Sequence, residues 1–194
     1  MRIVAGAWRG RRLAAPAGRL TRPTADRVRQ ALFDMLLHAP WGGRAAVEGA
    51  RVVDAFAGTG AMGLEALSRG AGFCTFLECD KAALAVLRAN IALCGAGARC
   101  AVLAADVTRP PPGTRCDLAI LDPPYGEALL PAAVARLAAT GWIAPGCLVV
   151  AELGRKDALP DFGELLADRT HGAARLAAWR ADADHIAAPL TPLP

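Results

Sequence analysis

A chain of 194 residues, 54% of them hydrophobic, is long enough to bury a sizeable core and short enough for one domain with a small appendage. No run of 18 apolar residues occurs, and Arg9, Arg11 and Arg12 break the N-terminus before an apolar signal could form. Neither a membrane span nor secretion is expected, and the cytoplasm is the expected compartment. The net charge of +4 is modest but uneven: residues 1–38 hold eight arginines against Asp26 and Asp34, a local +6, while the rest sums to −2. That polarity suits a basic arm facing a polyanion.

Residues 1–20 open with Ile3-Val4-Ala5 and return through Arg12-Leu13 after Gly6 and Gly10, which predicts a small β-ribbon. Arg9, Arg11 and Arg12 could present guanidinium groups to phosphates, with Trp8 available to stack on a base or pack on the core. Thr24 is a candidate N-cap for the next helix: Asp26 falls in its first turn, apolar residues recur at 28, 32, 35 and 36, and Pro40-Trp41-Gly42-Gly43 ends it. Arg22, Arg27 and Arg29 are further phosphate-contact candidates on its polar face.

From Arg51 the pattern alternates. A strand through Val52–Phe56 meets the glycine-rich turn 57–63, which opens a helix to Arg69. Phe73–Glu78 is a second strand, and Asp80 can cap a helix from Lys81 to Cys94. Strands at Ala101–Ala105, Leu118–Leu121 and Cys147–Leu153, with a helix at Leu129–Ala139, complete a parallel α/β sheet. Glu164–His171 and Ala173–Arg180 flank Gly172 as a closing antiparallel hairpin. The expected organisation is a basic extension over 1–20, a main domain over 21–181 and a loose Pro-rich tail over 182–194. The six cysteines form no C-x-x-C pair and only three histidines are present, so buried thiols in a reducing compartment are expected and a metal site is not.

In an open α/β sheet, ligands bind at the carboxyl ends of the strands. Four of those ends carry an acid: Asp54, Glu78, Asp106 and Asp122. Gly58-x-Gly60-x-x-Gly63, with Glu78 twenty residues after Gly58, also matches a dinucleotide pattern. Asp54, however, would face a diphosphate unfavourably, whereas it suits a ligand carrying an ammonium and a sulfonium, as S-adenosylmethionine does. On that reading the backbone from Phe56 through Ala57, Gly58, Thr59 and Gly60 approaches the ligand. Glu78 holds the ribose, and Asp106 accepts from the adenine amino group beside the Val107 backbone.

Asp122-Pro123-Pro124-Tyr125 follows the fourth strand. The first proline restricts Asp122 to extended geometry, which leaves its carboxylate and the Pro123 carbonyl as acceptors with an aromatic ring from Tyr125 alongside. Two acceptors and a stacking ring suit a planar base with an exocyclic NH2.

Val53–Gly60 together with the Asp122–Tyr125 stretch resembles the amino methyltransferases of the class I fold. Three further stretches resemble the RsmD-type family, the 16S ribosomal RNA guanine-N2 methyltransferases: Met1–Gly6 with Trp8–Arg12, Arg22–Arg29, and Phe56–Ala71 including Gly63-Leu64-Glu65-Ala66-Leu67-Ser68-Arg69-Gly70. Gln30 and Thr59 depart from the family's more frequent Glu and Ser. The resemblance implies a Rossmann-like class I methyltransferase with a seven-stranded, mostly parallel sheet and one reversed strand. It also implies S-adenosylmethionine as methyl donor, and guanine 966 of the small-subunit ribosomal RNA, in a partly assembled subunit, as substrate. Asp122, Pro123 and Tyr125 would then be catalytic. A DNA adenine-N6 methyltransferase shares the Asp-Pro-Pro-Tyr stretch but needs a target-recognition segment for which this chain has no room. A nicotinamide oxidoreductase is disfavoured by Asp54.

Overall fold

The computed structural model describes residues 1–15, 23–124, 129–172 and 174–186. The first long element, α1 (Pro23–His38), begins one residue ahead of the Thr24 cap read from sequence. Val28, Leu32, Phe33 and Leu36 recur at helical spacing and are fully packed away from water.

Next come β1 (Arg51–Ala55), α2 (Ala61–Ser68), β2 (Phe73–Glu78), α3 (Lys81–Cys94) and β3 (Cys100–Ala104). They are followed by β4 (Leu118–Leu121), α4 (Leu129–Ala139), β5 (Leu148–Gly154), β6 (Gly163–His171) and β7 (Ala174–Ala181). Asp80 caps α3 as expected, its Oδ1 accepting from Ala83 N–H at 2.7 Å. β3 and β5 lie one residue away from the bounds read from sequence, the usual uncertainty of element ends. The short helix α5 (Ala183–Ile186) corrects the expectation of a structureless tail from residue 182, because Ile186 is buried. Residues 187–194 of that tail lie outside the described residues.

The sheet has seven strands in the order β3-β2-β1-β4-β5-β7-β6, and β7 alone runs antiparallel to both neighbours, the single reversal expected. Side chains alternate across it. Val52, Phe76, Ile120 and Val150 turn toward α1, α2 and α3, while Val53, Leu77, Ala119, Leu121 and Ala151 pack with Leu130, Val134 and Leu137 of α4. The result is three layers with a core on each face of the sheet.

The N-terminal ribbon closes through an Arg2–Arg12 antiparallel bridge, with Ile3 N–H donating to Arg11 O at 2.9 Å and Leu13 N–H to Met1 O at 3.1 Å. Ile3 and Leu13 enter the same core as α1–α3. Glu65 on α2 holds the ribbon by accepting from Val4 N–H at 2.7 Å and Ala5 N–H at 2.9 Å. Gly6 meets α2 so closely, at φ +78°, that a Cβ there would lie 1.9 Å from the Ser68 carbonyl oxygen. Only glycine fits.

Candidate active site at the mouth of the sheet

Strand order reverses between β1 and β4, the point at which open α/β sheets bind ligands beyond the carboxyl ends of their strands. The chain leaves β1 through Phe56, the one non-glycine at positive φ (+64°) among the described residues. That conformation is costly for a bulky side chain and marks a turn imposed by its surroundings. Ala57 N–H donates to Leu77 O at 3.0 Å and Gly58 N–H to Glu78 Oε2 at 2.7 Å, so the turn hangs from the end of β2. Gly60 caps α2 in the left-handed region (φ +79°), and a Cβ there would meet Leu87 Cδ1 at 2.3 Å. From below, Asn90 Nδ2 donates to Thr59 O at 2.9 Å and to Ala14 O at 3.2 Å, while its Oδ1 accepts from Ala14 N–H at 2.8 Å. Asn90 is wholly buried and ties the cofactor turn to the end of the ribbon.

The acids divide into two groups. Asp54 is 2% exposed and turns back on its own loop, where Oδ2 accepts from Gly63 N–H at 2.8 Å. Burial raises its carboxyl well above the usual range; the Gly63 bond opposes this, and the charges of Asp122 and Glu78 add to it. Glu78 is half-buried and also organises backbone: beyond Gly58, its Oε1 accepts from Cys79 N–H at 2.8 Å and Asp80 N–H at 2.7 Å. Asp54, Glu78 and Asp122 thus form one electrostatic group. Asp106 stands apart and exposed past β3, its Oδ1 accepting from Thr108 N–H and Oγ1 at 2.8 Å each in a local turn, while the Val107 side chain is buried under the sheet.

Asp122 follows β4 directly, with Pro123 buried and Pro124 exposed beyond it; Tyr125 lies outside the described residues. Asp122 is exposed as a residue, while its carboxyl is crowded by the sheet end, which desolvates it in part. That desolvation, together with the charge of Glu152, pushes it up to about 7. Sequence reading overlooked Glu152, although it too is an acid near a strand's carboxyl end. Its relevance emerges only once β5 is known to pair with β4, Leu121 opposite Ala151.

Of the arginines expected to meet phosphate, Arg9, Arg11, Arg12 and Arg27 are exposed, and Arg22 lies outside the described residues. Arg11 Nη1 also donates to Leu93 O at 2.6 Å. Arg29 corrects the expectation. It is 2% exposed, bound to Asp26 Oδ1 at 2.9 Å, to Glu65 Oε2 at 3.4 Å and to the Arg2 carbonyl. Glu65 is fully buried and needs cations, and Arg29 and Arg69 (Nε to Oε1, 2.8 Å) supply them. Trp8 neither stacks freely nor enters the core fully: the Arg99 guanidinium lies 5.0 Å from its ring centroid. Cys74, Cys94, Cys116 and Cys147 are buried as expected, whereas Cys79 is exposed and Cys100 intermediate. Among the described residues no group of three or more His, Cys, Asp or Glu is placed to hold a metal ion.

The cluster also bears on what ligand the site suits. The charges raising Asp54 are both negative, so a ligand bringing an ammonium and a sulfonium would relieve it, and one bringing phosphates would aggravate it. A reversed-strand sheet, a glycine turn hung on acids and an Asp-Pro-Pro exit from β4 together define a class I, S-adenosylmethionine-dependent methyltransferase. Residues 1–180 match the family described as "Conserved hypothetical protein 95", and the chain belongs to that family. It is 39% identical over 161 residues to the ribosomal RNA small subunit methyltransferase D of Escherichia coli (strain K12), covering 82% of this chain and 78% of that one. Among solved structures it resembles the "Putative methyltransferase yhhF" of Escherichia coli, with a TM-score of 0.80 and 34% identity over 94% of this chain and 98% of that one. At 22% identity, over 86% of this chain and 44% of the other (TM-score 0.66), it shares its fold with the T. thermophilus 16S rRNA N2 G1207 methyltransferase (RsmC) in complex with AdoMet and guanosine.

Proposed function

We propose that this protein transfers the methyl group of S-adenosylmethionine to the exocyclic N2 of a guanine in small-subunit ribosomal RNA, in the cytoplasm and within a partly assembled subunit. The observation that carries the reading is Asp122 with Pro123, leaving β4 beside the acid-lined turn at the point where strand order reverses.

When bound, the cofactor supplies an electrophilic methyl on a sulfonium. The residues that would hold it are the backbone of Phe56–Gly60, the Asp54 and Glu78 carboxylates, and Asp106 with the Val107 backbone at the adenine end. Asp122 and the Pro123 carbonyl accept the two N–H bonds of the guanine amine, aim its nitrogen in line at the methyl, and exclude other orientations. Tyr125 stacks on the flipped base and holds its plane. Once methylated, the amine nitrogen would be acidic, and Asp122 would pass its proton to solvent. Most of the rate gain lies in alignment, because Asp122 need not be a strong base.

One assay separates this reading from its rivals. The protein is incubated with methyl-labelled S-adenosylmethionine and ribosomal RNA, small subunits or DNA, and the digested nucleosides are identified. N2-methylguanosine from the ribosomal substrates is expected; N6-methyladenine from DNA, or no transfer to any of them, overturns the proposal. Asp122→Ala is expected to lower transfer by at least about 100-fold while cofactor affinity, measured by calorimetry, stays within a few-fold. Near-normal turnover in that variant would refute the assignment of Asp122.

A further inference from the structure

The β4–β5 pairing places a second carboxylate beside Asp122. β4 and β5 are parallel, with Leu121 opposite Ala151, so Asp122, just past the end of β4, and Glu152, still within β5, follow on adjacent strands, about 4.8 Å apart in the pairing direction. Leu121 and Ala151 face the α4 layer, so alternation turns Asp122 and Glu152 to the opposite face, the one Asp54 and Gly63 share. On its other side Glu152 pairs with buried Leu176 of β7, and Arg175, the neighbouring charged residue on that strand, is engaged by Asp168 at 2.7 Å and by the Asp157 carbonyl at 2.9 Å. After desolvation, the charge of Glu152 is what raises the Asp122 carboxyl.

Two adjacent carboxylates facing a base edge make a row of acceptors. Guanine presents a matching row of donors on its Watson–Crick edge, N1–H next to N2–H2. Adenine presents a lone pair at N1, which a carboxylate repels. A carboxylate offers about four acceptor sites, so Glu152 can receive a base N–H while keeping other partners. We propose that Glu152 determines base specificity: its carboxylate, beside Asp122, accepts N1–H of the flipped guanine. The proposal rests on the reading of this site as a guanine-N2 methyltransferase and names the group that selects the base. An acceptor there rejects bases that lack N1–H, because their N1 lone pair would face the carboxylate where guanine donates a proton, a stronger discrimination than shape gives.

The test uses 2-aminopurine, which keeps the methyl-accepting amine but has no N1–H. Small subunits are reconstituted with RNA carrying guanine or 2-aminopurine at the methylated position, and kcat/KM is measured for the full-length protein and for Glu152→Gln and Glu152→Ala. The unsubstituted protein is expected to prefer guanine by at least about 100-fold. In Glu152→Gln, whose amide can turn a donor toward N1, that preference is expected to shrink at least tenfold, with cofactor affinity by calorimetry unchanged. A structural role would lower both rates together and leave their ratio fixed. Equal use of the two bases by the unsubstituted protein, or an unchanged ratio in both variants, overturns the inference. Should one variant fail to bind cofactor, the other and the unsubstituted protein still decide it. Absence of guanine methylation altogether would instead overturn the parent reading.

Discussion

Asp122 is held near neutrality by where it stands: poor hydration at the end of β4 and the negative charge of Glu152 favour its protonated form and push it up to about 7. For folding, the sign follows from a pKa raised above the unfolded value of about 3.9. The stability this residue contributes is complete below that value and is lost as pH rises through about 7. For catalysis the sign is opposite, because only the carboxylate accepts both an amine proton and its alignment. The kcat/KM profile, which reports the free protein, is therefore expected to rise about tenfold per pH unit below an inflection near 7 and to level off above it. A bound sulfonium favours the ionised form, so the inflection in kcat is expected at lower pH. A kcat/KM profile flat from pH 6 to 8 would remove Asp122 from the role of acceptor. Asp122→Asn removes the cost of ionisation, and at pH 8 it is expected to melt no lower than the unsubstituted protein although transfer is lost.

At the scale of elements, the candidate site is a set of strand exits, and the helices behind them fasten its loops. α3 was legible from Asp80 and its apolar period, yet nothing local distinguished Asn90 from any other polar residue on that helix. In the fold its side chain joins the Thr59 carbonyl to both backbone groups of Ala14. Asn90→Ala leaves three backbone groups without their partner, an expected loss of about 1–3 kcal/mol in denaturant unfolding. Because one of the three belongs to the cofactor turn, KM for S-adenosylmethionine is expected to rise several-fold while kcat changes less. An unchanged KM would show that the turn holds its shape without α3. Glu65 plays the corresponding part for the ribbon, joining two ribbon amides to Arg29 and Arg69 at once.

Over the whole molecule, charge is uneven: residues 1–38 carry a local +6, and the remaining residues sum to −2. The exposed Arg9, Arg11, Arg12 and Arg27 leave about four positions for phosphate binding among the described residues. Counterion release by that number predicts that RNA affinity falls about 50- to 150-fold between about 50 and 200 mM salt, read by filter binding or anisotropy. Replacing Arg9 and Arg12 with alanine is expected to flatten the log–log slope by about 0.7–0.9 for each arginine removed. Affinity that stays level across that range would refute the basic arm. Arg29 does not belong in this set, and its substitution is expected to loosen the ribbon from α2 rather than change the slope.

Local chemistry alone determined the alternation of strands and helices, because periodicity, caps and glycine turns act over a few residues; β2, α3, β4 and α4 begin and end where the sequence predicts. The same locality made the four acidic strand ends readable. Only the tertiary structure decided which polar groups turn inward. Arg29 looked like one more exposed arginine until Glu65, 36 residues on, drew it into the core as a counter-ion. Asp54 bends to Gly63, and Glu152 joins Asp122 because β5 pairs with β4. Those choices depend on partners distant in sequence, since a buried charge takes whichever opposite charge or donor packing brings beside it, and no local pattern encodes that.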